Sequence, residues 1–199
     1  MKKKFKFYLT IILVCVSLYS QAQLTNDDGN EATNQTGEKK SSFYIFLAPS
    51  VPSGDFKDEN NGCAKTGFTF GIDCMYGKNF KFIWNQNITF NSASFDDIEW
   101  GYFTFYENIG FRIHGGNDMF KVYGIIMGGI STNLLTGDFS DFGTSYAFTS
   151  TLGGGFIVNN NFNIGLRFTN SEPTFYDPIS DISISQKMPL VNLSVGYEF

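Results

Sequence analysis

The sequence predicts an all-β fold: eight antiparallel strands wound up and down into a closed, transmembrane β-barrel. Three observations carry the prediction. Aromatic-rich segments alternate apolar and polar residues at the two-residue period of a pleated strand. From Phe43 onward no segment shows the 3.6-residue stripe of an amphipathic helix. The connections alternate in length, short at one end and long at the other, which is the layout of barrels that cross a membrane.

The elements follow in chain order. Lys2, Lys3, Lys4 and Lys6 precede an apolar run from Phe7 to Tyr19, and Ala22 offers a small residue for cleavage, so residues 1–23 read as a secretory signal peptide. A lipoprotein signal around Cys15 is the poorer reading, because Val14 is not the small residue such processing favours. Removing this segment leaves ten basic residues against 19 acidic ones, a formal net charge of −9. That balance excludes nucleic acid and anionic surfaces as electrostatic partners. Residues 24–42 hold almost no large apolar side chains and are expected to form a flexible periplasmic tail before a barrel spanning 43–199. Export into an oxidising compartment raises the question of a Cys63–Cys74 disulfide. If both lie on one extended segment their Cα atoms sit over about 30 Å apart, whereas a bridge needs about 7 Å or less.

The eight strands are placed at residues 43–51, 65–76, 80–91, 99–113, 119–131, 144–158, 162–171 and 187–199. In the second, Phe68, Phe70, Ile72 and Cys74 oppose Thr69, Gly71, Asp73 and Met75. In the third, Phe80, Phe82, Trp84, Ile88 and Phe90 oppose Lys81, Asn85, Asn87, Thr89 and Asn91. Phe156 and Val158 continue through a turn into Phe162, Ile164, Leu166 and Phe168. Two strands are less regular. Parity turns Glu107 of the fourth toward lipid, and a bulge near Glu107–Asn108 is expected to re-aim it. In the fifth, Tyr123, Ile125 and Met127 are assigned outward in preference to Val122, Ile126 and Ile130, which sets Gly124 and Gly128 inside and Lys121 at the rim. Phe43, Tyr76, Phe80, Tyr123, Phe162, Tyr197 and Phe199 are expected to form an aromatic girdle at the short-turn end.

The last strand is the clearest: Val191, Leu193, Val195, Tyr197 and Phe199 share one face, with Asn192, Ser194, Gly196 and Glu198 on the other. Its terminal Phe199, the signal peptide and the loop-length asymmetry together decide against a soluble lipocalin-like barrel, and the architecture, the Gly-rich run Leu152-Gly153-Gly154-Gly155-Phe156 and this last strand carry a family resemblance. Over residues 43–199 the chain resembles the small eight-stranded outer-membrane barrels of the OmpA/OmpX type, including the PorT-type outer-membrane β-barrel domain. The resemblance implies residence in the outer membrane of a diderm bacterium, with lipid and lipopolysaccharide around it and the barrel-assembly machinery reading its C-terminal strand. It implies no one activity.

Candidate residues fall at the two ends. Asp73, Lys81, Arg167 and Glu198 are expected to form a structural polar network in the lumen, with Asp73 and Lys81 as a diagonal ion pair and Gly153 leaving room for Arg167. A barrel of eight strands is filled by its side chains, which disfavours a wide pore. Phe56, Phe95, Phe139, Phe142, Phe175 and Tyr176 lie among acidic loop residues and are candidates for an exposed interaction surface with an extracellular partner. The loop carboxylates read as a solvating face rather than a Ca²⁺ or Mg²⁺ site, and no metal or cofactor is expected. The Gly153-Gly154-Gly155 run lacks the following helix of a phosphate loop. His114, the single histidine, sits in a short turn with Asp118 nearby and no serine evidently placed with them, which argues against acyl-transfer or deacylation chemistry. The reading is a non-enzymatic barrel with a structural or surface-interaction role. The alternatives are a small-solute or secretion-linked channel component and, after it, a lipid-modifying barrel enzyme.

Overall fold

A computed structural model describes residues 41–178 and 181–199. The expected signal peptide and residues 24–40 of the expected tail lie outside the described residues, while Ser41 and Ser42 already belong to the first strand. The wall consists of β1 (Ser41–Pro52), β2 (Gly67–Gly77), β3 (Phe80–Phe95), β4 (Ile98–Gly116), β5 (Phe120–Gly137), β6 (Ser145–Val158) and β7 (Phe162–Ser171). A small hairpin of β8 (Thr174–Asp177) and β9 (Ile182–Ser185) interrupts the last long connection, and β10 (Leu190–Glu198) completes the wall. Each wall strand pairs antiparallel with its chain neighbour, and β1 pairs with both β2 and β10, giving a closed eight-stranded barrel without a free edge. Closure is what allows strands to sit in hydrocarbon, because every backbone group finds its partner within the wall.

The barrel is apolar outside and polar inside. Leu47, Phe70, Phe82, Phe111, Ile126, Leu152, Leu166 and Val195, one from each wall strand, are exposed on the outer face. Asn85, Asn108, Arg112, Asn163 and Ser194 are fully buried in the lumen. A water-soluble barrel would reverse this arrangement, since exposed apolar surface of such extent is unfavourable in water.

Four expectations need correction. On β5, Tyr123, Ile125 and Met127 point inward, and Val122, Ile126 and Ile130 face out with Gly124 and Gly128. The reason lies across the lumen: the facing wall is hollowed by glycine, and a Cβ on Gly165 would sit 2.0 Å from the Tyr123 hydroxyl. Bulk on one wall requires absence of bulk on the other. Tyr123 therefore leaves the girdle, whose other members remain exposed or half-buried. On β4 no bulge forms; the register runs unbroken through Gln86↔Glu107 and Glu107↔Ile130, so Glu107 does face outward. The β2–β3 hairpin pairs Gly77 with Lys81 and Asp73 with Asn85, a shift of two residues from the expected register that leaves Lys81 out of diagonal reach of Asp73. Gly77, at φ +128°, makes that turn accessible. The third connection is not a long loop: β3 and β4 continue to a two-residue turn at Asp96–Asp97, with Asp96 in the left-handed region. At 19 residues β4 greatly exceeds the roughly 9–11 needed to cross hydrocarbon, so this hairpin stands clear of the membrane.

Candidate functional site

The lumen is filled in layers. In its middle, Arg167 of β7 reaches Asp73 of β2 through Nη2–Oδ2 at 2.6 Å and Nη1–Oδ1 at 3.2 Å. Its guanidinium also lies 4.2 Å from the ring centroid of Phe46. Asp73 Oδ1 accepts a second bond from Asn85 Nδ2 at 2.7 Å, and Asn85 in turn accepts from Asn87 at 2.8 Å and Asn108 at 3.2 Å. Thr149 of β6 donates to Asn108 over Gly129 of the intervening β5. Charges removed from water in this way persist only when paired and hydrogen-bonded, and this pair meets that condition.

Nearer the short turns, Glu198 of β10 takes Lys81 at 2.7 Å and Arg112 at 3.1 Å. Lys81 also donates to Ser42 Oγ at 2.7 Å. Lys81 and Arg112 are direct cross-strand neighbours, so two cations converge on one carboxylate. Arg112 stacks 4.2 Å above the ring of Tyr123, whose hydroxyl donates to Asn163 at 2.8 Å. The four residues singled out as a lumen network thus form two pairs, Asp73–Arg167 and Lys81–Glu198, and not the expected Asp73–Lys81 contact. Arg167 does lie opposite Gly153, yet the nearest atoms to a Cβ there are Leu166 O at 2.6 Å and the Ile125 side chain at 3.1 Å. The glycine admits Ile125, not the guanidinium. Sequence reasoning missed Arg112; its position opposite Lys81, on the same face of adjacent strands, was the available signal.

Beyond these pairs small polar side chains line the lumen as a ladder of hydroxyl pairs between neighbouring strands, including Thr69–Thr89 at 2.8 Å and Thr151–Thr169 at 3.1 Å. Above it the loops build a second apolar core. Phe56, Tyr106, Phe175, Met188 and Leu190 are each at most 2% exposed, and Tyr102 donates to Gly62 O at 2.9 Å. Phe56 meets Tyr102 edge-on with ring centroids 4.8 Å apart. The proposed aromatic surface is thereby divided. Phe56 and Phe175 are buried in the cap, Phe139 and Phe142 are half-buried beside Trp100, and only Phe95 and Tyr176 are exposed. A cleft of about 340 Å³ opens beside the cap, lined by Phe95, Trp100, Phe139, Phe142 and Ile184 among others.

His114 lies at the other end, in a recess of about 400 Å³ that also holds Ser42 and Asp118. Nothing local in the chain placed a serine beside the histidine. Ser42 is engaged by Lys81, however, and His114 Nδ1 has no partner, so no nucleophile–base hydrogen bond is formed among the described residues. No group of three His, Cys, Asp or Glu suited to a metal ion comes together among the described residues. Cys63 and Cys74 are not joined in a disulfide.

An inverted, closed barrel of eight strands, with short turns at one end and a loop-built cap at the other, defines the class: a small transmembrane β-barrel of the outer-membrane kind. No protein-family profile matches the chain, and no curated protein does. Among solved structures the chain is similar to Neisserial surface protein A, with 13% identity over 80% of this chain and 96% of that one, at a TM-score of 0.51. It is similar too to the outer membrane protein OprG of Pseudomonas aeruginosa, with 11% identity over 81% and 97% of the two chains, at a TM-score of 0.50. At such identities the likeness is one of fold.

Proposed function

We propose that this chain is a bacterial outer-membrane barrel whose lumen is closed and whose role is structural or surface-interacting, without enzymatic activity. The observation that carries the reading is the filled lumen: two buried ion-paired layers, a hydroxyl ladder and the aromatic cap lie in series along the barrel. The chain's partners under this reading are outer-membrane lipid and lipopolysaccharide along the apolar wall, and the barrel-assembly machinery at the C-terminal strand. With termini and short turns periplasmic, the capped end faces the medium, and Phe95 and Tyr176 beside the aromatic cleft are its natural contact residues for an extracellular partner.

Planar-bilayer recording on the purified protein tests the closed lumen. No reproducible unitary steps are expected from the full chain, nor from a variant lacking residues 172–189, because the ion-paired layers remain. Stable conductance from the intact protein supports the channel alternative instead.

A further inference from the structure

One rung of the outer face does not suit hydrocarbon. Glu107 of β4 and Gln86 of β3 are direct cross-strand partners, and both point away from the lumen. The rungs on either side are apolar: Ile88↔Phe105 and Phe90↔Phe103 toward the cap, Trp84↔Ile109 and Phe82↔Phe111 toward the short turns. Along the same row Glu107 meets Ile130 of β5, and Gln86 meets Ile72 of β2. Each polar residue stands six positions from the Phe80↔Ile113 rung at the girdle. Six residues of a strand tilted about 45° rise about 14 Å, which is the middle of an apolar band about 25 Å tall.

Neither side chain is held from within the chain. Among the described residues no hydrogen bond or ion pair engages Glu107 or Gln86. Lipid supplies no such partner, so the carboxylate and the amide are costly while the barrel stands alone. Their chemistry is self-complementary. An amide donates through two N–H groups and a carboxylate only accepts, so even a bond between the two within one chain would leave a donor and an acceptor directed outward. The side chains around them, Ile72, Trp84, Ile88, Phe105, Ile109 and Ile130, frame the rung without a further charge.

We infer that this rung is the centre of a contact with a second copy of the chain in the plane of the membrane. A two-fold axis along the membrane normal, passing beside the rung, brings Gln86 of one barrel to Glu107 of the other and Glu107 to Gln86 in return. The amides donate to the carboxylates in two reciprocal hydrogen bonds, the pattern of an isologous interface in a medium without water. Because the two groups lie side by side on one face, a two-fold satisfies both at a single contact, and the assembly closes at two copies. The contact is independent of what the loops bind and of whether the lumen conducts.

For the test, the full chain is labelled at its N-terminus with donor or acceptor dye and folded into phosphatidylethanolamine–phosphatidylglycerol vesicles. Energy transfer is followed as the protein-to-lipid ratio rises. A saturable, reversible dimer is expected, with transfer above that of random proximity. Glu107→Leu and Gln86→Leu are each expected to weaken association about tenfold, whereas Glu107→Gln, which keeps a polar group able to pair across the axis, holds it within about threefold of the parent. Leu193→Ala, exposed on the opposite wall, leaves association unchanged. All four variants keep the heat-modifiable migration of a folded barrel. In dilute lipid, where the monomer prevails, Glu107→Leu acts in the opposite direction and stabilises the barrel. A photoreactive residue in place of Ile88, one rung away, is expected to cross-link in the outer membrane to a product of twice the chain's mass. The inference is overturned if the chain stays monomeric at every ratio, if Glu107→Leu associates as the parent does, if Leu193→Ala weakens association equally, or if position 88 cross-links only to a different protein.

Discussion

Two residues show how environment, rather than residue type, sets the value of a charge. Glu107 sits on the outer face of β4 between Phe105 and Ile109, at the centre of the apolar belt, with Gln86 directly across on β3. A carboxylate there is unfavourable because hydrocarbon supplies neither water nor a counter-ion. Glu107→Leu is therefore expected to stabilise the protein by about 1–3 kcal/mol in equilibrium unfolding from lipid vesicles at neutral pH. Unchanged or lower stability would mean that the belt does not sit in hydrocarbon at this position. Asp73 is the opposite case, a buried carboxylate with a guanidinium and an amide already in place. Asp73→Asn leaves Arg167 uncompensated and is expected to cost about 3–5 kcal/mol, while adding Arg167→Met recovers most of the loss. A double-mutant cycle by denaturant unfolding measures the coupling, and additive losses would sink this account of the pair.

At the scale of elements, the loops matter more than their polar composition suggests. The β1–β2 connection makes a single 3-10 turn, Gly54–Phe56, that drives Phe56 into the aromatic core beneath the β8–β9 hairpin. The cap is expected to open without the wall, because the wall's backbone ladder pairs strand to strand around the closed barrel. Phe56→Ala removes a fully buried ring, at a local cost of about 3–5 kcal/mol. Trypsin is then expected to cut at Lys57 or Lys65 in the variant but not in the parent, with the barrel still migrating as a folded species on an unboiled gel. The wall strands were largely legible in the sequence, since a half-buried strand writes its two environments as alternation, as in Phe162–Ser171 with its perfect inside-outside repeat. β5 was not, because both of its faces are apolar enough to compete: Tyr123, Ile125 and Met127 fill a lumen that alternation alone assumes to be polar. The cap was illegible for a related reason. Phe56 and Phe175 are isolated aromatics in polar stretches, and nothing local reports that they meet.

At the scale of the whole molecule, the charge distribution divides the barrel into unlike ends. Carboxylates dominate the long connections, whereas Lys78, Lys81, Arg112 and Lys121 gather at the short turns. Between them lie the two buried ion-paired layers, Asp73–Arg167 and Lys81–Glu198. The sequence by itself determined the number of wall strands, the closed antiparallel order, the outward face of the second, third, sixth, seventh and last of them, and the polar character of the interior. Those follow from period-two patterning and turn spacing, which are local. Only the tertiary structure decided which acid meets which base, which face of β5 turns inward, and that the loop aromatics form a core. Each of these depends on side chains brought across a closed cylinder from strands far apart in the chain, where a register shift of two residues or the absence of a facing Cβ selects the partner.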